Sequence, residues 1–163
     1  QCLKGARDKG ATTVKLVLCD LKIAPCQGCN RCLDTGECAV EDGMREVHRA
    51  LLHADAVVVA SPIYFSGPTG QTKCMIDRCQ SLWVRENIVS KKVEHPRKGA
   101  IILVGGDAKA VFHNAQSELK AFMKGIGISF RSELLVAGVD QAGEVRSREA
   151  EMRRAYEMGQ ELV

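Results

Sequence analysis

Two runs of the chain, Ala56-Val57-Val58-Val59-Ala60 and Ala100-Ile101-Ile102-Leu103-Val104, are apolar at every position. Successive side chains of a strand point to opposite faces, so a strand with one wet face alternates apolar and polar residues. A strand without a polar position must be covered on both faces, which is the condition inside a parallel sheet wrapped by helices. Helical patterns fill the intervals. Asp42 can cap a helix that places Met44, Val47, Leu51 and Leu52 on one face. A second helix is predicted from about Gly70 to Trp83, with Met75, Ile76, Cys79, Leu82 and Trp83 inward, and Glu86 to Lys98 reads as polar and irregular. Asn114 to Lys124 forms a third, with Ala115, Leu119, Phe122 and Met123 on one side. Lys4 to Lys9 is the tail of a helix stopped at Gly10. Arg146 to Leu162 closes the chain as an amphipathic helix with Met152, Ala155, Tyr156 and Gly159 in register. Val14 to Leu18 and Leu134 to Ala137 add two short strands. Strands that alternate with helices predict an α/β fold, a doubly wound parallel sheet with right-handed crossovers and helices on both faces. At 163 residues this is one domain, spanning 1–163.

Composition excludes several functions. The net charge is +3 and aromatic residues make up 4%, so neither a basic patch nor a stacking platform for nucleic acid is evident. No stretch approaches the roughly 20 apolar residues of a membrane span. The start Gln1-Cys2-Leu3-Lys4-Gly5-Ala6-Arg7 does not read as a secretion signal. Eight cysteines in a chain of this length suit metal or redox chemistry in a reduced, cytoplasmic setting better than a disulfide scaffold.

Four of those cysteines fall within thirteen residues: Cys26, Cys29, Cys32 and Cys38, spaced C-x2-C-x2-C-x5-C. They lie in an insertion loop of about residues 20–41 that carries Pro25, Gly28 and Gly36. Three thiols at two-residue gaps can converge on one inorganic core, and a fourth can return to close it, as four thiolates hold a 4Fe–4S cubane. Glycine lets the backbone turn tightly around so bulky a group. Tetrahedral zinc also accepts four thiolates and stays open as an alternative. So does a cluster of thiols without metal. Cys74 and Cys79, five residues apart, point to different helix faces, and Cys79 belongs to the core stripe.

In sheets of this kind ligands bind outside the carboxyl ends of the strands. Three loops are expected there: the cysteine loop, Ser61 to Gly70, and Gly105 to His113. Ser61, Pro62, Ile63, Tyr64, Phe65, Ser66 and Gly67 can present main-chain donors and acceptors, with Pro62 for stiffness and Gly67 for close approach. The bland alternative is a strand-to-helix turn with Pro68 at the helix start. Gly105, Gly106 and Asp107 read either as a loop that admits a planar ligand or as a simple turn. His113 follows, and a lone histidine is more often a surface or packing residue. Asp77-Arg78 reads as a surface or interface pair.

Taken together, Pro25-Cys26-Gln27-Gly28-Cys29 and Ser61-Pro62-Ile63-Tyr64-Phe65 resemble the flavodoxin-like NADPH-dependent FMN reductase family, and within it the iron–sulfur flavoprotein branch. Ala54-Asp55-Ala56, Lys73 to Arg78 with Trp83, and Gly105-Gly106 extend the resemblance along the chain. The resemblance implies FMN at the strand ends, with Pro62 to Gly67 along the isoalloxazine edge and the turn from Gly105 over its other side. It implies a cluster near the flavin that exchanges single electrons with it, and a homodimer or tetramer. The family's first strand and phosphate-gripping loop have no counterpart here. The expectation is that about thirty residues, enough for one strand, one loop and most of one helix, precede Gln1. The function expected is an FMN-dependent oxidoreductase that couples a flavin to a 4Fe–4S cluster. NAD(P)H or a ferredoxin-type protein would be the electron donor, and neither nucleic acid nor membrane is a partner. The alternatives are a plain NAD(P)H-dependent FMN or quinone reductase, and a metal-binding or redox-sensing module without turnover.

Overall fold

The computed structural model describes every residue from Gln1 to Val163. Its sheet is built on β1 (Ala56–Tyr64), β3 (Lys98–Gly105) and β4 (Ser129–Ala137), which run parallel, with β3 in the middle. The two-residue β2 (Gly67–Pro68) folds back antiparallel on the end of β1, giving the order β2-β1-β3-β4. Six helices surround the sheet: α1 (Cys2–Asp8), α2 (Met44–His53), α3 (Gly70–Arg78), α4 (Gln80–Asn87), α5 (His113–Gly125) and α6 (Glu149–Leu162). None of them is long and apolar enough to cross a membrane.

Both faces of the sheet are covered, as the apolar runs require. Val59, Ile101 and Leu103 join Met44, Val47, Leu51, Met75, Leu82, Leu119 and Met123 in the larger core beneath α2 to α5. The intervening residues Ala56, Val58, Ala100, Ile102 and Leu134 face the other way, against Cys2 of α1 and Met158 and Leu162 of α6. The period-two alternation of the strands therefore divides one apolar sequence between two cores.

Several expected boundaries move. Val14–Leu18 is not a strand: residues up to Val17 are irregular, a single 3-10 turn spans Leu18–Asp20, and no strand of the sheet pairs with this segment. Leu16 and Leu18 still pack on the larger core, so the apolar pattern was burial without a ladder. β1 runs on to Tyr64, so Ser61 to Tyr64 are strand rather than loop. Pro62 fits a strand at this place because β1 is otherwise unpaired on its outer side, where a missing N–H does no harm. Pro68 lies in β2, and Thr69, not proline, starts α3: its side chain accepts from the Thr72 N–H. The long helix after it is two, broken at Cys79, whose N–H is shared between the Met75 and Ile76 carbonyls at 3.1 and 3.0 Å. α4 extends through Asn87, into the stretch expected to be irregular, and Trp83 is partly exposed rather than inward. β4 begins earlier, at Ser129, and α6 is buried through Met158, Gly159 and Leu162 rather than Met152.

Candidate functional site

The cysteine loop is held by a buried ion pair. Arg78, the last residue of α3, is 1% exposed at its side chain, and it meets Asp42 with Nη1 to Oδ2 at 2.7 Å and Nη2 to Oδ1 at 3.0 Å. Asp42 also accepts from the Ala24 N–H at 2.8 Å and the Met44 N–H at 3.0 Å, so it fastens the loop to the start of α2. Burial pushes the Asp42 carboxyl up, but the hydrogen bonds from Arg78, Ala24 and Met44 outweigh it and hold its pKa at about 2. Behind Arg78, His48 Nε2 lies 3.2 Å from the Arg78 carbonyl. A carbonyl only accepts, so Nε2 carries the proton. Burial lowers the pKa of this ring. Arg78 is thus no surface residue, and Asp77 pairs instead with Lys73 on α3.

Within the loop the expected tight turns are present: Gly28, Asn30 and Gly36 all take left-handed φ values, of 63°, 58° and 73°. Gly36 also presses on α4, where a Cβ would come within 2.8 Å of the Arg85 Cβ. All four thiols are free, Cys26 and Cys29 exposed and Cys32 and Cys38 half-buried. Burial raises the Cys32 pKa, and the other thiols Cys38, Cys29 and Cys26 add to the rise. Hydrogen bonds from Arg31 lower the pKa of Cys29 toward the thiolate that binds metal. No three His, Cys, Asp or Glu side chains form a ready site for a single metal ion. A cubane is wider than one ion, and four soft sulfur donors on one glycine-turned loop suit it chemically.

The second candidate lies at the carboxyl end of β1. The β1–β2 hairpin turns on two residues, Phe65 and Ser66, with φ values of 51° and 63°. Two-residue turns of this hand favour Asn and Gly, so Phe65 is strained there. Phe65 is also fully exposed and Tyr64 largely so, a bare aromatic pair at the hairpin tip. The base is firm: buried Ser61 accepts from the Thr69 N–H at 3.1 Å and donates to the Pro62 carbonyl at 2.8 Å. A Cβ on Gly67 would meet nothing nearer than the Tyr64 oxygen at 3.7 Å. The fold therefore leaves open space beside Gly67. Strain, exposed aromatic surface and open space together fit a planar ligand at this tip.

The turn after β3 has reasons of its own. A Cβ on Gly105 would strike the Ala110 Cβ at 2.3 Å, and one on Gly106 the Asp140 Oδ1 at 2.7 Å. Asp107 shapes its own loop, its Oδ1 accepting from the Lys109 N–H and its carbonyl from the Ala110 and Gly138 N–H groups. Internal packing thus accounts for both glycines. The cysteine loop does not join these two loops by leaving the end of a strand. Cys26 and Gly28 instead line a groove of about 470 Å³ with Ile76, Trp83, Phe122 and Ile126. Ile126 lies just before β4 begins, toward the opposite end of the parallel strands from the β1 hairpin.

Sequence reasoning missed Asp42 and Arg78 as a pair. The signal was present: Arg78 falls three residues after Met75 and four before Leu82, on the inward stripe.

This architecture is a flavodoxin-like α/β fold. Over 99% of the chain it superposes, with a TM-score of 0.69 and 17% identity, on 84% of an NAD(P)H:quinone oxidoreductase from Methanothermobacter marburgensis. It also superposes on 87% of an FMN-dependent NADH-azoreductase from Bacillus anthracis in complex with FMN, with 99% of this chain covered, a TM-score of 0.67 and 12% identity. The chain belongs to the NADPH-dependent FMN reductase family, which matches residues 1–139. Within the family it sides with the iron–sulfur flavoproteins. It is 35% identical to one from Archaeoglobus fulgidus over 66% of this chain and 53% of that protein. It is 31% identical to one from Methanosarcina thermophila over 64% of this chain and 52% of that protein. The match thus spans about half the length of these relatives.

Proposed function

We propose that the chain binds FMN at the Ser61–Gly67 hairpin and a 4Fe–4S cluster on Cys26, Cys29, Cys32 and Cys38, and acts as a flavin-dependent oxidoreductase that passes electrons between them. The observation that carries this reading is the four-thiol loop, pinned by Arg78 and Asp42, in a chain of an FMN reductase family. When bound, FMN supplies two-electron chemistry and the cluster one-electron chemistry, so the pair converts one into the other. The chain's own residues bind and orient. Main-chain groups of Pro62 to Gly67 would face the flavin edge, and Tyr64 and Phe65 would cover its ring. Gly105, Gly106 and Asp107 would border it from the next strand end. No side chain is needed as acid or base. NAD(P)H or a ferredoxin-type protein is the donor we favour.

The groove near the start of β4 and the hairpin at the end of β1 lie toward opposite ends of parallel strands, which supports assembly as a homodimer or tetramer, since a second copy can bring its cysteine loop to the first copy's flavin. Partly exposed Trp83 in the groove suits such an interface. Eight free thiols suit a reduced, cytoplasmic setting.

The test is an absorption spectrum of anaerobically purified protein, with flavin, iron, sulfide and zinc assayed on the same sample. Flavin together with about four iron and four sulfide per chain, the content of one cubane, is the expected result. Flavin without iron would reduce the protein to a simple flavin reductase. Zinc without flavin would overturn the reading altogether.

A further inference from the structure

The cysteine loop needs more than cysteines. Its four thiols must be presented together, and no helix or strand stiffens the segment that carries them: residues 22–42 lie outside every regular element. Both of its stems end on one side chain. Arg78 Nη1 donates to the Ala24 carbonyl at 2.7 Å, two residues before Cys26. Nη2 donates to the Val40 carbonyl at 3.3 Å, two residues after Cys38. The same two nitrogens hold Asp42, which reaches back to the Ala24 N–H. A planar fork can close a loop in this way, whereas a lysine ammonium offers one point of attachment.

The guanidinium has one donor left. Its Nε–H is buried and has no partner. Nη2 holds the Val40 carbonyl two residues past Cys38, which brings the guanidinium alongside the stem that carries that sulfur. A buried cationic donor thus sits beside one of the four candidate ligands. Hydrogen bonds and charge beside the sulfurs are among the means by which a protein tunes an iron–sulfur group.

We propose that Arg78 is a positioning residue for the cluster: it ties the two stems of the cysteine loop together, and its charge beside Cys38 raises the reduction potential of the group the loop holds. This rests on the cluster reading above. Asp42 is its counterweight, because the carboxylate fixes the guanidinium and offsets part of its field.

Three variants test it in the protein reconstituted with iron and sulfide. Arg78→Gln removes the cation and leaves the carboxylate, so the midpoint potential falls. Asp42→Asn removes the carboxylate and leaves the cation, so the potential rises. Arg78→Lys keeps the charge but not the fork, so iron affinity, measured against a chelator, falls about 10–100-fold. In iron-free protein, the amides of residues 24–40 exchange faster in Arg78→Lys than in wild type. A purely structural role would move the first two variants in the same direction or leave both potentials at the wild-type value, and either result overturns the charge assignment. Unchanged exchange over residues 24–40 in folded Arg78→Lys overturns the clamp. Should Arg78→Gln not fold, Asp42→Asn and Arg78→Lys still decide both points. If the wild-type protein takes up no cluster, the cluster reading fails by itself, and the exchange measurement still judges the clamp.

Discussion

Asp42 accepts four hydrogen bonds, two from Arg78 and one each from the N–H groups of Ala24 and Met44. Burial raises its pKa and these donors more than reverse that, to about 2 from an ordinary 3.8. A carboxyl group that is more acidic in the folded than in the unfolded chain stabilises the fold while it is ionised. Its contribution, about 2 kcal/mol, is complete above pH 4 or so and is lost as the pH falls toward 2. Urea midpoints measured between pH 7 and pH 2.5 should therefore fall less steeply for Asp42→Asn than for wild type. Parallel curves would mean that Asp42 is not the group that titrates. Arg78 was hidden from sequence reasoning because its neighbour Asp77 looked like its partner, whereas its partner lies 36 residues earlier. Gly67 offers a cleaner probe of the flavin site. A side chain there meets only ordinary contact with the fold, so Gly67→Val should leave the urea midpoint unchanged. Flavin affinity should fall tenfold or more, about 1.4 kcal/mol. Wild-type affinity by fluorescence titration would move the flavin elsewhere.

The helices were the most legible elements, because each packs a stripe whose period is set by its own geometry. Val47 and Leu51 on α2, and Leu119, Phe122 and Met123 on α5, are buried where the spacing put them. Strands were less legible because a strand needs a partner as well as a pattern. Val14–Leu18 has the pattern and no partner, while Ser61–Tyr64 carries a proline and still extends β1. Gly159 was placed on the inward face of α6, but the reason it must be glycine became visible only with the pairing of α1 and α6. A Cβ at this position would stand 1.9 Å from the Cys2 carbonyl oxygen. The obstacle is helix backbone, which cannot swing aside as a side chain would. Gly159→Ala should therefore destabilise the chain by about 1–3 kcal/mol, despite the higher helix propensity of alanine. A thermal midpoint equal to or above that of wild type would show that α1 docks less tightly than the structure indicates.

At the scale of the molecule, the sheet is open along both edges. β4 ends it beyond β3, and on the other side β1 is covered only at its tip, where Ile63 and Tyr64 pair with the two residues of β2. From Ala56 to Pro62 the outer edge of β1 has no strand beside it. The doubly wound plan was readable because apolar runs and helical stripes alternate along the chain. The order of the strands was not, since sequence patterns say that a strand is buried without saying beside what. An unpaired edge of β-branched residues is a template for another strand. The 163-residue chain alone should accordingly self-associate in sedimentation experiments as its concentration rises through the micromolar range. Ala60 is an exposed position on β1, and a charge at an edge opposes strand addition. Ala60→Lys should lower the weight-average mass at a given concentration without altering the circular dichroism of the fold. If the wild-type chain sediments as a monomer throughout that range, something other than a strand protects β1. If the lysine variant associates as strongly as wild type, the contact lies elsewhere, and the groove lined by Cys26 and Trp83 becomes the surface to probe.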